Sequence, residues 1–248
     1  MRSSALQDRV AGAPISWGVC EVPDWGRQLA PRRVLSEMRE LGLTATEFGP
    51  DGFLEVEPAA RARQLASYGL TAVGGFLPVV LHDSTHDPLP EADEFIDACL
   101  AAGASVIVLA AVTGLVGYDE RPMLDDLGWK TLTSNLDHVA DHAARRGVQA
   151  VLHPHVGTMI ERRSEVERLL DGSSVGLCLD TGHLAVGGTD PVELAVAAPD
   201  RVKHVHLKDV DLTVADGVLR GERSYCDAVR NGMDKPLGEG DVDIAGLV

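Results

Sequence analysis

The sequence lacks any stretch of 18 consecutive apolar residues, so it predicts no transmembrane helix. Basic residues are also few: 22 lysines and arginines stand against 38 aspartates and glutamates, which gives a formal net charge of −16 over 248 residues. A surface of this charge repels nucleic acid unless one face is basic, and no run of Lys and Arg builds such a face. These absences argue against a membrane or nucleic-acid partner and favour a small-molecule one, with a homo-oligomer left open.

Cysteine is rare as well, and its spacing argues against further classes of protein. The four cysteines lie far apart, and no two are spaced as a Cys-x-x-Cys pair: Cys20, Cys99, Cys178 and Cys226. This pattern is typical of a reduced, cytoplasmic protein rather than of a disulfide framework or a cysteine-based zinc site. The N-terminus lacks the apolar segment of a secretory signal, so residues 1–9 are predicted to be a disordered tail before a single domain at 10–248.

What the sequence does contain is a regular alternation of two kinds of segment. Short apolar, β-branched runs predict strands at 10–15, 43–48, 70–77, 105–111, 148–153, 175–180 and 202–207. Stretches with helical spacing predict helices at 31–41, 58–68, 91–102, 129–146, 163–171 and 191–198. Several of these helices begin with proline in the first turn and end at glycine, the expected start and stop signals. Such alternation with short connections predicts parallel strands joined by crossover helices.

An α/β fold of the closed (β/α)8 TIM barrel type accounts best for this alternation. The first predicted strand is not followed by the glycine-rich loop of an open dinucleotide-binding sheet. A complete barrel has eight strands. Seven are predicted here, and 241–248 has the pattern of the start of a helix, so the barrel is expected to be truncated before its eighth strand. The long irregular stretch at 209–241 is predicted to be a lid.

Polar side chains collect at the ends of three consecutive predicted strands, where a TIM barrel has its active site. The candidates on the fifth, sixth and seventh strands are His153 and His155, Asp180, and His204, His206 and Lys208. Burying unpaired ionised groups is costly, so a core collects them only when they neutralise one another or hold a cation. The pattern predicts a divalent metal on His153, Asp180 and His206, with His155 as the alternative to His153.

Other polar or aromatic residues fall at predicted strand ends and in loops. Glu47 ends the second predicted strand, and Trp17 follows the first, where it either packs at the rim or covers an apolar sugar face. His82 and His86 are four residues apart, but Asp87-Pro88 follows and the stretch has the composition of a loop. We interpret these two histidines as loop residues near the barrel mouth rather than as a second metal site.

Several segments of the chain carry a family resemblance. They are GAPISWGVCEVP at 12–23, ATEFGP at 45–50, HPHVGT at 153–158, LDTGH at 179–183, RVKHVHLKD at 201–209, SYCDAVRNG at 224–232 and GEGDVD at 238–243. Together they resemble the inosose dehydratases, also called 2-keto-myo-inositol dehydratases, which belong to the xylose isomerase-like superfamily of metal-dependent TIM barrels. The resemblance covers nearly the whole chain.

The resemblance implies a reaction and a cofactor. The implied enzyme is a hydro-lyase of inositol catabolism that removes water from 2-keto-myo-inositol, through a metal-stabilised enediolate and loss of a β-hydroxyl. The implied metal is Mn²⁺ or Co²⁺, and imidazole-plus-carboxylate ligation is also compatible with Zn²⁺. The alternative is a sugar or sugar-phosphate isomerase or epimerase on the same fold. An endonuclease for abasic DNA and a non-catalytic sugar-binding barrel are more distant rivals.

The resemblance also implies roles for individual residues. Asp180 and His206 match the family's metal ligands, and His153 stands where many superfamily members have a Glu. The fourth ligand of the superfamily is a Glu on the eighth strand, which this chain does not reach. The implied acid–base residues are His183, Lys208 and His155, and the residues expected to contact substrate are Glu47, Trp17 and His204.

Overall fold

The computed structural model describes residues 9–20, 22 and 25–248. The predicted tail at 1–9 therefore lies outside the described residues, apart from Arg9. Six strands form one sheet in which the strand order is the chain order: β1 (Ala45–Glu47), β2 (Thr71–Val79), β3 (Val106–Ala111), β4 (Gln149–Leu152), β5 (Gly176–Asp180) and β6 (Val202–His206). The pairs β1–β2, β4–β5 and β5–β6 are parallel. Six of the seven predicted strands are thus confirmed.

Helices follow the strands as the alternation predicts. They are α1 (Pro31–Glu40), α2 (Pro58–Ser67), α3 (Leu89–Ala102), α4 (Asp126–Arg145), α5 (Arg163–Gly172), α6 (Thr181–Val186), α7 (Pro191–Ala197), α8 (Leu212–Leu219), α9 (Tyr225–Arg230) and α10 (Ile244–Leu247). Carboxylates cap several of them: Glu57 accepts two backbone N–H groups at the start of α2, and Asp190 does the same for α7. Among the described residues, no helix is both long and apolar enough to cross a membrane.

The first predicted strand, at 10–15, is wrong. Gly12 makes an isolated bridge to Thr46, and Pro14–Trp17 forms a 3-10 turn instead of an extended strand. The reason is local, because Pro14 has no backbone N–H to give to a ladder and its fixed φ favours the start of a turn. Gly18 then ends the turn with φ 75°, a left-handed conformation that glycine adopts without strain.

The stretch at 209–241 was predicted to be irregular, and this is wrong, because most of it is regular secondary structure. Its predicted role as a lid stays a prediction. The stretch contains α8, α9 and a two-stranded antiparallel ribbon of β7 (Asp209–Val210) and β8 (Asp234–Lys235). Asp211 caps α8 by accepting the N–H groups of Thr213 and Val214, and Ser224 caps α9. The predicted helix start at 241–248 is confirmed by α10, which Asp243 caps.

The residues group into two compact units, each with its own core. The first unit consists of the chain up to Leu77 together with Pro90–Val108 and His142–Gln149, and its fully buried side chains include Leu35, Met38, Leu65 and Ile96. The second unit consists of Pro78–Leu89, Leu109–Asp141 and Ala150–Val248, and its fully buried side chains include Leu132, Leu136, Leu152, Ile160 and Leu169. The single domain predicted at 10–248 stays a prediction.

Candidate active site

The ends of three adjacent strands of the second unit bring polar residues together. In the ladder between β5 and β6, Asp180 lies opposite His206, and Cys178 lies opposite His204. His153 directly follows β4, and its backbone N–H donates to the Leu109 carbonyl at 2.8 Å, so the chain keeps its extended course past the end of β4. Since parallel strands end at one edge of their sheet, residues at equivalent ends lie side by side.

Asp180 lies at the centre of this group and is fully buried. Its Oδ1 accepts the backbone N–H of His183 at 2.8 Å and so caps α6. Its Oδ2 lies 2.9 Å from Lys208 Nζ, 3.1 Å from His153 Nε2 and 3.6 Å from His206 Nδ1. Among the described residues, Oδ2 nevertheless accepts no hydrogen bond of ordinary geometry. A buried carboxylate oxygen in this situation is an oxygen that a bound cation would satisfy.

The protonation states of the group also suit a cation. Burial alone would raise the pKa of Asp180, but Lys208 and the neighbouring histidines hold that pKa well below its usual range, so the carboxylate is ionised. Burial lowers the pKa of His153 to about 4, against the partial opposing effect of Asp180. A neutral imidazole beside an ionised carboxylate is the form in which both groups bind a divalent metal.

His155 and His183 form a closely packed pair of rings, tilted by 38°, beside His153. The centroids of the pair's rings are 3.6 Å apart, whereas His153 meets each of them edge-on at 5.3 and 5.4 Å. Burial holds the pKa of His155 and that of His183 well below the usual range. Both rings are therefore neutral near pH 7, and each carries one N–H and one lone pair.

The neighbouring backbone fixes which nitrogen of each ring carries the proton. His155 Nδ1 lies 2.7 Å from the Val156 carbonyl, which only accepts, so Nδ1 carries the hydrogen and Nε2 has the lone pair. His183 Nδ1 instead accepts the Val156 N–H at 3.5 Å, so in the neutral ring its hydrogen is on Nε2. The pair thus offers one Nε2 acceptor, on His155, and one Nε2–H donor, on His183.

The metal ligands predicted from sequence are His153, Asp180 and His206, and both imidazoles lie next to Asp180 Oδ2. The sets in which three donor atoms all lie close to one another have a different third member. Among the described residues of the second unit, donor atoms within 4.8 Å of one another occur in His153–Asp180–His183 and in His153–Cys178–His206. His153 belongs to both sets. Sequence reasoning did not propose Cys178 as a donor, although its two-residue spacing from Asp180 on β5 places both on one face.

The other predicted site residues occupy different positions. His204 is half-buried on β6, on the same side as His206, and their ring centroids are 5.3 Å apart. Two predicted substrate-binding residues belong to the first unit: Glu47 is buried at the end of β1, and the indole N–H of Trp17 donates to Glu37 at 2.8 Å. Whether Trp17 packs at the rim or covers a sugar face stays a prediction.

Sequence reasoning missed two tyrosines that lie against the histidine pair. Tyr225 begins α9 and is buried, with its ring centroid 5.9 Å from that of His183. Tyr118, in the loop between β3 and α4, lies 6.0 Å from His155 and 5.3 Å from Tyr225. Burial raises the pKa of Tyr225 well above its usual range, so the phenol stays protonated. The only indication of Tyr225 in the sequence was the family resemblance of the segment at 224–232.

Known proteins resemble this chain in sequence and in fold. A family model described as xylose isomerase-like TIM barrel matches residues 35–248. The inosose dehydratase of Geobacillus kaustophilus (strain HTA426) is 34% identical over an alignment of 248 positions, which covers 95% of this chain and 80% of the relative. The rhizopine catabolism protein MocC of Rhizobium meliloti is 34% identical over an alignment of 257 positions, which covers 100% of this chain and 78% of the relative.

A solved structure extends the likeness to three dimensions. The probable 3-DHS dehydratase AsbF from Bacillus anthracis superposes with a TM-score of 0.67 at 15% sequence identity, covering 96% of this chain and 86% of that one. At this identity the match concerns the fold alone.

Proposed function

This chain belongs to the inosose dehydratases of the xylose isomerase-like TIM barrel family, and from that membership we propose that it removes water from 2-keto-myo-inositol in inositol catabolism. The observation that carries the proposal is the arrangement around Asp180. An ionised, buried carboxylate lies next to two neutral, closely packed histidines whose Nε2 atoms have opposite hydrogen-bonding character. Dehydration next to a ketone needs a base for a C–H proton, a proton donor for the departing hydroxyl and a means of polarising the carbonyl.

The residues that would hold a divalent metal are His153, Asp180 and His206. The fit rests on the donor set, because the buried Asp180 Oδ2 lies 3.1 Å from His153 Nε2 and 3.6 Å from His206 Nδ1, with the Lys208 ammonium at 2.9 Å as a further neighbour. When bound, the metal would supply Lewis acidity to the substrate carbonyl and so acidify the adjacent C–H. Nitrogen and oxygen donors suit Mn²⁺ and Co²⁺, our preferred cofactors, and also Zn²⁺.

His155 is the residue best prepared to take the proton. Its Nδ1–H is held by the Val156 carbonyl, so the lone pair at Nε2 is the one that can accept a proton from the carbon next to the ketone. His183 presents the opposite polarity, with a hydrogen at Nε2 that can donate a hydrogen bond to a substrate oxygen and orient it. His183 is buried and His155 is half-buried, so the two rings differ in their access to solvent.

Lys208 is the candidate proton donor for the departing hydroxyl. Its Nζ lies 2.9 Å from Asp180 Oδ2, which holds it at the centre of the site, and its backbone N–H donates to the Thr181 hydroxyl at 2.8 Å. A proton passes from Lys208 to the β-hydroxyl, which leaves as water, while His155 holds the proton taken from carbon. Transfer of that proton back to Lys208 through solvent restores both groups.

The test is a dehydration assay on 2-keto-myo-inositol with the purified chain and added Mn²⁺. The expected product has lost one water by mass spectrometry, and Asp180→Ala abolishes its formation. The matched control is Asp200→Ala, because Asp200 is exposed. An unreactive wild-type protein, or full activity in Asp180→Ala, would contradict the proposal. A product of unchanged mass would instead support the isomerase or epimerase alternative.

A further inference from the structure

Four aromatic rings from separate parts of the second unit close into a ring of contacts. This four-ring cluster consists of Tyr118, His155, His183 and Tyr225. Successive ring centroids are 6.0 Å apart from Tyr118 to His155, 3.6 Å from His155 to His183, 5.9 Å from His183 to Tyr225 and 5.3 Å from Tyr225 back to Tyr118. Each tyrosine thus packs on one histidine of the His155–His183 pair and on the other tyrosine.

The segments that carry the two tyrosines are fastened to each other and to the loop that carries His155. The backbone N–H of Tyr225 donates to the Asp119 carboxylate at 2.9 Å, which joins α9 to the loop after β3. A Cβ atom on Gly157 would lie only 2.7 Å from the Tyr118 Cα, so the two backbones are in close contact. Arg121 donates to the Thr158 carbonyl at 2.8 Å and pairs with Glu165.

The two tyrosine rings lie against the histidine pair, Tyr118 on His155 and Tyr225 on His183. The Val156 backbone holds one nitrogen of each imidazole, and the neighbouring aromatic rings restrict how far each ring can rotate about that contact. Displacing a proton-transferring group by about 1 Å can lower the rate roughly 100-fold without changing how the substrate binds. Because the tyrosine rings lie against the histidine pair, such a displacement would bring the rings into collision.

We propose that Tyr225 is a positioning residue for the reaction, whose ring, together with that of Tyr118, holds the His155–His183 pair in its reactive geometry. The inference rests on the proposed function for its kinetic consequence, although the contacts themselves do not depend on the substrate. In this proposal the aromatic ring of Tyr225 positions the histidines by packing, and its hydroxyl is not required.

The kinetic experiment compares three variants in the dehydration assay with Mn²⁺. Tyr225→Leu is expected to lower kcat roughly 10- to 100-fold with KM and Mn²⁺ affinity close to wild type, because only the histidine geometry is disturbed. Tyr225→Phe is expected to recover most of this loss. Tyr68→Leu, a tyrosine of the first unit, is the matched control and keeps wild-type kinetics. Equal losses in the Phe and Leu variants would overturn the proposal, because they would assign the role to the hydroxyl.

A second measurement does not need activity. Side-chain ¹H–¹⁵N correlation spectra of the full chain report the environment of each imidazole, with His155→Gln and His183→Gln used to assign the signals. Tyr225→Leu is expected to shift or broaden the signals of both rings, whereas Tyr225→Phe leaves them near their wild-type positions. Unchanged signals in Tyr225→Leu would overturn the inference. If the wild type shows no dehydration but the signals respond as expected, the inference stands and the proposed function fails.

Discussion

Two buried carboxylates in the second unit show how similar burial can serve different ends. Asp180 and Asp209 are 0% and 1% exposed; Asp180 ends β5 and Asp209 begins β7. Asp209 accepts four backbone N–H groups, from Val210 and Val242 on Oδ1 and from Gly238 and Gly240 on Oδ2. Asp180 has one oxygen satisfied by a helix cap and the other surrounded by side-chain nitrogens.

The difference separates a structural carboxylate from a functional one. Four short amide contacts at Asp209 leave its oxygens no capacity for a ligand, and they fix the segment 238–242 beside β7. The negative charge of Asp180 is instead stabilised by side chains, chiefly the Lys208 ammonium 2.9 Å from Oδ2, so a bound cation can share this oxygen without breaking backbone hydrogen bonds. Folded proteins retain such groups mainly at functional sites. The predictions below test this contrast.

The largest expected effect is the loss of metal binding in Asp180→Asn. Asparagine can keep the Oδ1 cap on α6 but removes the negative charge from the centre of the site. We expect Mn²⁺ affinity to fall by more than about 100-fold, since even changes behind the ligands cost 10- to 100-fold. Isothermal titration with Mn²⁺ measures this effect, with Asp200→Asn as the exposed control. Undiminished affinity in Asp180→Asn would remove Asp180 from the ligand set.

The complementary variant, Asp209→Asn, should lose stability rather than metal affinity. The amide NH₂ of asparagine would face two backbone N–H donors that now have a carboxylate acceptor. We expect the free energy of unfolding to fall by about 2–4 kcal/mol, while Mn²⁺ affinity changes by less than roughly twofold. Urea unfolding and Mn²⁺ titration measure the two quantities. A large loss of Mn²⁺ affinity with unchanged stability would reverse the proposed division between the two carboxylates.

The pH dependence of stability in the metal-free protein should also distinguish the two regions. The pKa of His153 has an ordinary value of 6.5 and falls to about 4 in the folded protein. The stability that depends on its neutral form is therefore complete above pH 6.5 and is lost as the pH falls towards 4. Burial would raise the pKa of Asp209, but its backbone hydrogen bonds lower it below 3.8, so its contribution is lost only below that value. Two separate windows of destabilisation are therefore expected.

Unfolding free energies measured from pH 7 to pH 3 would show these windows. His153→Gln should reduce the loss between pH 6.5 and 4, and Asp209→Asn should reduce the loss below pH 3.8. His138→Gln is the control, because His138 is exposed on α4. A wild-type protein whose stability is constant from pH 6.5 to 4 would contradict the neutral, buried state inferred for the histidines.

The sequence predicted those parts of the fold and site that depend on local pattern. The strand ends of β4, β5 and β6 could be located from apolar runs, and their parallel pairing then places His153, Asp180 and His206 together. The strand at 10–15 was wrong because a proline turn interrupts an apolar run. Tyr225 and Asp119 are 106 residues apart, and their contact depends on how α9 folds back, so neither periodicity nor spacing indicates it.

The smallest expected effect concerns Cys178, which lies two residues before Asp180 and whose sulfur is within 4.8 Å of donor atoms of His153 and His206. Mn²⁺ prefers oxygen and nitrogen to sulfur, so Cys178→Ala should change Mn²⁺ affinity by less than about threefold. The lost packing should lower the free energy of unfolding by about 1 kcal/mol. Cys99→Ala, at a fully buried cysteine of the first unit, is the matched control. Titration with Mn²⁺ and urea unfolding would check both quantities.

If Mn²⁺ affinity collapsed in Cys178→Ala but not in Asp180→Asn, the metal would belong to the Cys178 side of His153. The incomplete hydrogen bonding of Asp180 would then need another explanation.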